Sequence, residues 1–303
     1  MTLSLHMKSL ILIYICINNK MKNILVTGGA GFIGSNLIKS LVEKGFNVTS
    51  LDDYSTGSKS NEIQDVKYYN LDIEKISKIN ESIDICYHLA AQSRVQPSFE
   101  DPEESFRINV LGTSRVMEWA KKKKVKVVYA GSSSKHHVPS DSPYAMYKFL
   151  GEEVCKLYKK SYNVNVAIAR FYNVYGPGEN IDEKYGNVIG IWRSKVIQGE
   201  PLPIVGDGNQ KRDFIHVYDI VNGLIKIALT DINHNDAWEL GTGINYSINE
   251  LFKYFKDKFD VKSINIPDQP GNYRQTLREN DDSLRLLDWK PMDRLKDHIN
   301  SFN

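Results

Sequence analysis

Short runs of β-branched and other apolar residues alternate with longer stretches of helical periodicity through the first half of the chain. Short apolar runs are typical of buried strands, and apolar residues spaced three or four apart are typical of the helices that cover them. The pattern predicts strands at 23–27, 47–51, 67–70, 84–88, 126–130 and 165–169. It predicts helices near 32–44, 103–123 and 143–162.

This alternation of strands and helices predicts an α/β fold. Parallel strands need crossover helices, and these helices cover both faces of the sheet. We therefore expect a Rossmann-type doubly wound parallel sheet within residues 21–170. After residue 170 glycine and proline become frequent and the alternation fades. Residues 171–303 are predicted to form mainly a smaller C-terminal substrate-binding lobe at the carboxyl edge of the sheet, with some segments returning to the first domain.

Residues 1–20 differ in character from the chain that follows. Their apolar stretch at 10–17 is much shorter than the roughly 20 apolar residues that a membrane-spanning helix needs. No cleavage site of a signal peptide separates this stretch from the first strand, and Met21 directly precedes that strand. We interpret residues 1–20 as an extension outside the fold, with a membrane anchor as the alternative.

Composition and charge narrow the choice of partners. The formal net charge of +2 does not predict nucleic acid as a partner. The lysine run at 121–124 falls at the end of a predicted helix, where cations suit the helix dipole. Cys16, Cys86 and Cys155 are widely spaced, which argues against a disulfide framework or a zinc site. We expect a cytoplasmic protein with no metal and no membrane partner.

A glycine-rich turn, TGGAGFIG at 27–34, joins the first predicted strand to the first predicted helix. Gly28, Gly31 and Gly34 permit a tight turn there and let backbone N–H groups at the helix N-terminus approach a pyrophosphate. Asp52, at the end of the second strand, can accept hydrogen bonds from both hydroxyls of an adenosine ribose and would repel a 2′-phosphate. These residues predict a site for NAD rather than NADP, although a turn-forming role for Asp52 is the alternative.

Further cofactor contacts are expected at the start of the first helix and directly after the third and fourth strands. Small residues that follow a strand let a cofactor lie close to the backbone. The additional predicted contacts are Phe32, Ile33, Asp72, Ile73, Leu89, Ala90 and Ala91. With the glycine turn, they make residues 21–170 the predicted NAD-binding domain.

Tyr144 and Lys148 lie four residues apart in the third predicted helix, so both side chains lie on one face. A phenol is a poor base at neutral pH, but a nearby cation favours the phenolate and lowers the pKa of the phenol. Alone, such a pair more often belongs to a solvated helix face. The serine run at 132–134, at the carboxyl end of a predicted strand, places hydroxyls near the pair. Together with the nucleotide turn, this arrangement favours an acid–base centre.

Several ordered motifs resemble the extended short-chain dehydrogenase/reductase superfamily, and within it the NAD-dependent nucleotide-sugar 4-epimerases. They include TGGAGFIG, HLAAQ, SPYAMYK, RFYNVYGPG, VGDGNQKRDFIHVYDI and GTGINYSINEL, and the resemblance runs from about Met21 to the C-terminus. It implies that Tyr144 is the general base on the sugar O4 hydroxyl. It also implies that Lys148 holds the nicotinamide ribose and helps to lower the pKa of the phenol, and that Ser132 hydrogen bonds to O4.

The resemblance further implies a UDP-sugar substrate. The expected substrate contacts are Ser132, Ser134, Tyr144, Asn173, Asn187, Val188, Arg212, Arg274 and Thr276. Arg212 suits a diphosphate because its planar fork can bind two oxygens at once, with an ion pair to Asp213 as the alternative. Arg274 is expected to replace a family arginine whose position is Gln269 in this chain. The small side chain of Thr276 favours a substrate with an N-acetyl group at C2.

The loop before Tyr144 departs from the family pattern, because His136 and His137 stand near the place of a usual Tyr-Gly pair. Adjacent side chains on a strand do not face the same way, so we do not expect these histidines to act as metal ligands or as acid–base groups. Asp213 and Asp219 are expected to be structural, fixing a loop and capping the next helix.

Ser133 and Ser134 distinguish between reactions of the superfamily. The similar nucleotide-sugar 4,6-dehydratases carry Asp-Glu at these positions, and the decarboxylases use a glutamate in the same stretch. The serines therefore favour a UDP-hexose 4-epimerase that acts through a 4-keto intermediate, on UDP-glucose and UDP-galactose or on their N-acetyl forms. A nucleotide-sugar dehydratase or reductase, and a non-catalytic NAD-binding sensor, are the alternatives. The resemblance also implies a homodimer formed through the helices near 103–123 and 143–162.

Overall fold

The structure, a computed structural model, describes residues 22–302 of the 303-residue chain. The predicted extension at 1–20, which contains Cys16, lies outside the described residues. Within the described part, no helix is both long enough and apolar enough to cross a membrane. Cys86 and Cys155 are buried free thiols.

Residues 22–302 contain strands that alternate with helices through the first half and are less regular afterwards. The strands are β1 (Asn23–Thr27), β2 (Asn47–Asp52), β3 (Lys67–Asn70), β4 (Ile85–His88), β5 (Lys126–Ser132), β6 (Val166–Phe171), β7 (Asn173–Tyr175), β8 (Leu202–Val205), β9 (Lys211–His216), β10 (Ala237–Leu240), β11 (Asn245–Ser247) and β12 (Ser263–Ile266). The α-helices are α1 (Phe32–Glu43), α2 (Val95–Glu100), α3 (Pro102–Phe106), α4 (Thr113–Lys123), α5 (Pro143–Tyr162), α6 (Val188–Gln198), α7 (Val217–Leu229), α8 (Ile248–Lys258), α9 (Asp282–Leu286) and α10 (Leu295–Asn300). Short 3₁₀ helices occupy Lys59–Asn61, Ile73–Lys78, Ser133–His136 and Pro139–Asp141.

Seven of these strands form one sheet in the order β10-β6-β5-β4-β1-β2-β3, and every pairing in it is parallel. The strand order reverses between β1 and β4, and doubly wound sheets bind ligands beyond the carboxyl ends of the strands at such a point. This arrangement confirms the predicted Rossmann-type fold. Two smaller sheets, β11-β9-β7 and β12-β8, come from the second half of the chain.

All six predicted strands are present, and their ends differ from the prediction by at most two residues. Strands β5 and β6 run further than expected because their ladder continues to the pair of Ser132 with Phe171. The extension brings the first serine of the predicted cluster into the sheet itself. The position of Ser132 is therefore fixed by backbone pairing rather than by a loop.

The helix predicted at 103–123 is interrupted by a wider, π-helical turn at Arg107–Gly112, which separates α3 from α4. Within this turn the Asn109 amide exchanges two hydrogen bonds with the backbone of Gln92, at 3.0 and 3.1 Å. Such wider turns often occur at functional sites. Here the turn anchors the loop that follows β4.

The apolar core lies in two layers, one on each face of the large sheet. One layer packs α1 and α7 against the sheet, with Leu37 and Ile220 fully buried. The other packs α4 and α5 against the opposite face, with Met117 and Cys155 fully buried. Because α7 and β10 follow residue 170, segments of the second half take part in this sheet. The domain boundary at that residue stays a prediction.

Helix α5 begins and ends with residues suited to these positions. The Ser142 side chain accepts a hydrogen bond from the Ala145 N–H at 3.1 Å, and Pro143 occupies the first turn. A serine cap and an early proline both favour the start of a helix. At the other end, Asn163 adopts the left-handed conformation of a helix C-cap, with φ of 55°. The structure thus places this helix at its predicted bounds.

The same helix packs very closely on β5. A Cβ added to Gly151 would lie 2.2 Å from the hydroxyl oxygen of Tyr129. Only a glycine therefore fits at this crossing. Because Gly151 lies within one turn of Lys148, the close contact also sets how near that lysine comes to the sheet.

A buried group of charged side chains, termed the Arg170 cluster, joins α5 to the sheet. The Arg170 guanidinium on β6 donates hydrogen bonds to Glu152 on α5 at 2.8 Å and to Glu239 on β10 at 2.9 Å. These three side chains are at most 3% exposed. The more exposed Asp236 accepts from Arg170 at 2.8 Å, and His136 Nε2 lies 3.0 Å from Glu239 Oε1. One guanidinium therefore connects a helix, two strands and the turn after β5.

The Arg170 cluster controls the ionisation of its own members. Burial favours the neutral form of Glu239, but hydrogen bonds from His136 and Arg170 outweigh burial and lower the pKa of this carboxyl. The hydrogen bond to Glu239 in turn raises the pKa of His136, against the effect of burial. The charges therefore depend on one another, and loss of one member leaves the others buried without compensation.

Arg170→Met is expected to lower the free energy of unfolding by about 3–5 kcal/mol, because Glu152 and Glu239 would remain buried without their cation. Urea unfolding followed by circular dichroism measures the loss. Arg285→Met is the matched control, since Arg285 pairs with Asp282 and is 73% exposed, and exposed pairs contribute at most about 1 kcal/mol. Small and equal losses in the two variants would contradict a structural role for the cluster.

Candidate active site

A cavity of about 1160 Å³ opens at the carboxyl ends of β1, β2, β4 and β5, and later loops of the chain complete its wall. Most of the residues predicted to bind cofactor or substrate line it: Gly28, Gly31, Phe32, Ile33, Gly34, Asp52, Ile73, Leu89, Ala90, Ala91, Ser132, Ser134, Tyr144, Lys148, Asn173, Asn187, Val188, Arg212 and Thr276. Asp72 and Arg274 do not line it. The topology therefore gathers residues from distant parts of the chain at one edge of the sheet.

Three glycines shape the turn at the start of α1. Gly28 has φ of +73°, and a Cβ there would lie 2.8 Å from Ala90 N. A Cβ on Gly34 would lie 2.1 Å from Gly28 O, so this glycine lets the helix pack on the turn. Gly31 provides no side-chain cap for the N–H groups at the helix N-terminus. Those groups are therefore suited to an anion such as a pyrophosphate.

Asp52 lines the cavity and also holds the glycine turn. Its carboxylate accepts hydrogen bonds from Ala30 N at 2.9 Å and from Tyr54 N at 2.8 Å. Burial raises the pKa of Asp52, and these two hydrogen bonds partly oppose the increase. The turn-forming alternative is therefore correct, and contact with a ribose stays a prediction for the same carboxylate.

Asp72 is not among the residues that line the cavity, although its neighbours Leu71 and Ile73 are, so its cofactor contact stays a prediction. One of its oxygens accepts from Glu74 N at 2.8 Å and caps the short helix Ile73–Lys78. The other accepts from Arg107 at 2.8 Å. Both carboxylate oxygens of Asp72 thus accept hydrogen bonds from the protein.

The part of the cavity next to the glycine turn fits NAD. A side chain at Gly28 would fill the space against Ala90, so the glycine keeps the backbone of the turn open to a close approach. Ala90 N donates to Thr27 Oγ1 at 3.2 Å, which fixes the backbone of the loop after β4. This side of the cavity therefore offers N–H donors for a pyrophosphate and small apolar residues for flat rings.

Ser132 and Tyr144 form the expected pair of hydroxyls. Ser132 Oγ accepts from Ser134 N at 3.2 Å, and the Tyr144 backbone N–H donates to Ser98 Oγ at 3.0 Å. Burial raises the pKa of the Tyr144 phenol, while the Ser132 hydroxyl and the positive charge of Arg94 lower it. Ser132 and Arg94 thus oppose the effect of burial on the phenol.

Lys148 lies one turn further along α5 and is buried. Its ammonium donates a hydrogen bond to Ala130 O and lies 4.5 Å from the centre of the Tyr129 ring. Burial lowers the pKa of Lys148 to about 8, and the charge of Glu152 opposes this effect. The lysine is therefore held at the end of β5 by contacts that a solvated helix face would not provide.

The predicted substrate residues of the second half are held by the protein itself. Asn173 Nδ2 donates to Thr276 Oγ1 at 3.0 Å and to Asp213 O at 3.2 Å. Thr276 Oγ1 also accepts from Asp213 N at 3.2 Å. Asn187 caps α6 by accepting from Gly190 N at 2.7 Å. These side chains reach the cavity in fixed positions, with much of their hydrogen-bonding capacity already used.

Arg212 lines the cavity and donates to Asn272 Oδ1 at 2.6 Å. Burial lowers its pKa to about 10. The alternative of an ion pair with Asp213 is wrong, because that carboxylate accepts N–H groups from Thr242 at 2.8 Å and from Gly243 at 2.9 Å instead. A diphosphate contact for Arg212 stays a prediction.

Arg274 lies outside the cavity. Its side chain is 73% exposed and pairs with Asp207 at 3.2 Å. It is therefore not placed to replace the family arginine, whereas Gln269, at the position of that arginine, does line the cavity. The exposed ion pair was not visible in the sequence because Asp207 and Arg274 meet only through the packing of two loops.

The two other aspartates of this region are structural, with one correction. Asp213 fixes the loop after β10, as expected. Asp219 does not cap α7, because His216 takes that role by accepting from Tyr218 N at 3.2 Å. Asp219 instead accepts from Met292 N at 3.0 Å and holds the segment before α10.

The sequence patterns do not single out Arg94, Tyr185 and Tyr273, which also line the cavity. Arg94 Nε donates to Tyr185 O at 2.8 Å. The ring of Tyr273 stacks on His137 with a centroid distance of 3.8 Å. Arg94 could have been predicted from its position in the loop after β4, since such loops reach the carboxyl edge of the sheet. Tyr273 has no such signal, since its stack depends on two loops that are distant in sequence.

Comparison with known proteins finds relatives that act on nucleotide sugars. Residues 24–241 match the model of the NAD dependent epimerase/dehydratase family. A Methanocaldococcus jannaschii protein with the provisional name UDP-glucose 4-epimerase is 37% identical, over 91% of this chain and 95% of that protein. UDP-glucuronic acid decarboxylase 1 of Xenopus tropicalis is 28% identical, over 92% of this chain and 70% of that protein. Epimerases and decarboxylases thus both occur among the relatives.

Solved structures share the architecture. The UDP-glucose 4-epimerase of Thermotoga maritima, solved with UDP-glucose, has a TM-score of 0.85 and 27% identity, covering 92% of this chain and 97% of that one. The UDP-glucuronic acid 4-epimerase of Bacillus cereus, solved with UDP-glucuronic acid and NAD, has a TM-score of 0.84 and 27% identity over the same shares. These matches confirm the predicted resemblance and NAD as the cofactor. The chain therefore belongs to the NAD dependent epimerase/dehydratase family.

Proposed function

We propose that this member of a family of epimerases, dehydratases and decarboxylases is an NAD-dependent UDP-sugar 4-epimerase. The observation that carries the proposal is that Ser132, Tyr144 and Lys148 line one cavity in which the next residues, Ser133 and Ser134, bring no carboxylate. Epimerisation at C4 needs one base for O4. Elimination or decarboxylation needs further acid–base groups near C5 and C6.

In the proposed reaction Tyr144 accepts the proton of the sugar O4 hydroxyl as C4 is oxidised. Bound NAD supplies the acceptor and then the donor of the C4 hydride. Ser132 donates a hydrogen bond to O4 and stabilises the charge that develops there. Lys148 holds the nicotinamide ribose. After the 4-keto sugar has presented its other face, Tyr144 returns the proton to O4, so the reaction is redox-neutral overall.

The proposed substrates are UDP-glucose and UDP-galactose or their N-acetyl forms. Similar proteins of known structure were solved with UDP-glucose or UDP-glucuronic acid, which supports a UDP-sugar as the substrate class. Arg212 supports a diphosphate contact because its guanidinium has no carboxylate partner within the described chain. Thr276 presents only a small side chain to the cavity, which supports acceptance of an N-acetyl group.

We also propose a cytoplasmic homodimer. The segment from α3 to α4 and the outer face of α5 carry exposed large apolar side chains, among them Phe106, Leu111, Leu157 and Tyr162. Several such side chains on adjacent helices favour burial against another protein surface, and a second copy of the chain supplies a complementary one.

Incubation of the purified protein with each UDP-hexose and each N-acetyl form, followed by chromatographic separation of the epimers, tests the proposed reaction. Interconversion of two C4 epimers without net change in NADH absorbance supports it. A 4-keto-6-deoxy product identifies a dehydratase, release of CO₂ a decarboxylase, and net consumption of NADH a reductase.

Tyr144→Phe is expected to lower kcat by about 10²–10⁴-fold, because the general base is removed. Tyr147→Phe is the control: Tyr147 lies on the same helix, packs on Phe106 with ring centroids 5.4 Å apart, and does not line the cavity. Initial epimerisation rates of both variants give the comparison. Full turnover by Tyr144→Phe would contradict the proposed base, and a non-catalytic NAD sensor would treat both variants alike.

Ser132→Ala is expected to move the rising limb of the pH profile of kcat/KM to higher pH. This limb reports deprotonation of the base. The Ser132 hydroxyl lowers the pKa of Tyr144, so its loss leaves the effect of burial less opposed and that pKa rises. Ser133→Ala removes a neighbouring cavity hydroxyl and should leave the midpoint in place. An unchanged midpoint in Ser132→Ala would mean that Ser132 does not act on the phenol.

Gly31→Ala is expected to fold normally but to bind NAD at least about ten-fold more weakly, since the methyl group would occupy the approach of the pyrophosphate. Within the protein its Cβ would meet only Gly28 O, at 3.3 Å. Gly34→Ala should also lower the melting temperature, because its Cβ would clash at 2.1 Å. Thermal unfolding and NAD calorimetry separate the two effects. Normal NAD affinity in Gly31→Ala would contradict a close approach of the pyrophosphate to Gly31.

A further inference from the structure

Five cationic side chains line the cavity in the described part of the chain: Arg94, Lys148, Lys184, Lys195 and Arg212. Two of them are neutralised by carboxylates. Lys184 pairs with Glu100 at 2.7 Å, and Lys195 pairs with Glu200 at 2.6 Å. Neither lysine therefore needs a ligand to balance its charge.

The other three cations have no carboxylate within 4 Å among residues 22–302. Lys148 donates to Ala130 O, and Arg212 donates to Asn272 Oδ1. The proposed function already uses Lys148 for the nicotinamide ribose and Arg212 for the diphosphate. Arg94 is left as a cavity cation without an assigned anion.

Arg94 is held in a way that suits a planar anion. Its Nε donates to Tyr185 O at 2.8 Å, which fixes the side chain, while its two terminal nitrogens hydrogen bond to no residue between 22 and 302. A guanidinium presents these nitrogens as a fork that matches the two oxygens of a carboxylate. The fork of Arg94 is therefore oriented but not occupied by the protein.

Glu179, the acidic residue whose charge acts on Arg94, is not the anion that binds its terminal nitrogens. The charge of Glu179 stabilises the Arg94 cation, yet Glu179 lies beyond ion-pair distance of it. Its oxygens are engaged elsewhere, with Asn187 Nδ2 at 2.9 Å and His298 Nε2 at 3.2 Å. Glu179 is buried in these contacts and does not line the cavity.

Arg94 belongs to a segment that packs on the start of α5, the helix that carries Tyr144. It directly precedes α2, and Ser98 of this helix accepts the Tyr144 backbone N–H at 3.0 Å. Gln96 Nε2 donates to Pro270 O at 2.9 Å, so the segment is held from the other side as well. The charge of Arg94 acts on the Tyr144 phenol, whereas Arg212 is not among the groups that do so.

We propose that Arg94 binds a carboxylate carried by the sugar next to the reacting C4 carbon, which adds acidic UDP-sugars to the neutral substrates of the proposed function and makes the acidic ones the preferred substrates. The proposal rests on the proposed function, because Tyr144 marks the position of C4. Two parallel N–H···O bonds in a partly buried site favour a carboxylate. A neutral sugar leaves the guanidinium without a partner, which discriminates against it.

Calorimetry on the NAD-loaded protein tests this with UDP, UDP-glucose, UDP-glucuronic acid and UDP-N-acetylmuramic acid as probes. Arg94→Gln is expected to weaken binding of an acidic sugar by about 10–100-fold, and binding of UDP and UDP-glucose by less than about three-fold. The two acids carry the carboxylate on opposite sides of C4, so the one that loses affinity shows on which side it is bound. Arg285→Gln, which removes an exposed guanidinium outside the cavity, should change none of the four affinities.

Three results would overturn the proposal. Equal weakening of all four probes by Arg94→Gln means that Arg94 binds the diphosphate instead. Unchanged affinity for both acids means that it binds no substrate anion. If Arg94→Gln unfolds, Arg94→Lys serves instead, because it keeps the charge without the fork. Carboxylate recognition is contradicted if Arg94→Lys binds the acidic probes as tightly as the unaltered protein does.

Measuring both binding and turnover distinguishes a failure of the Arg94 proposal from a failure of the proposed epimerase reaction. Arg94-dependent binding of an acidic sugar by a protein that epimerises none of the UDP-sugars keeps the assigned specificity and refutes the epimerase. Epimerisation of neutral and acidic sugars with equal kcat/KM keeps the epimerase and refutes the specificity.

Discussion

The buried guanidinium of Arg170 is the contact on which the geometry of the cavity depends. It links α5, β6 and β10, and through Glu239 and His136 it reaches the turn that follows Ser132. The base and the serine of the proposed reaction lie on different elements, so their separation is set by whatever joins those elements. Because the linking charges are shielded from water, salt screens them much less than it screens surface pairs.

The two sides of the cavity are built by different means. Near the glycine turn the protein presents backbone, kept open by absent side chains. On the opposite side it presents side chains, and Asp213 organises them: its backbone holds Asn173 and Thr276, while its carboxylate holds the loop at Thr242. A cofactor common to the whole family suits the first kind of surface. A substrate that differs among its members suits the second.

Much of the fold and of the cofactor side could be predicted from the sequence because the signals are local. Apolar periodicity marked every strand up to β6, and residues directly after a strand reach the carboxyl edge whatever the later packing. Contacts that join distant segments could not be predicted. Asp72 is occupied by Arg107, Arg274 by Asp207, and the stack of Tyr273 on His137 needs two loops to meet. No local pattern encodes such meetings.

Gly151 also has a mechanical meaning. Helix α5 rests on Tyr129 at this residue with no room for even a methyl group, and one turn earlier Lys148 donates to Ala130 O. A bulkier residue would push the helix away from the strand and move the phenol of Tyr144 away from Ser132. The absence of a Cβ atom at Gly151 therefore helps to set the distance between the Tyr144 phenol and Ser132.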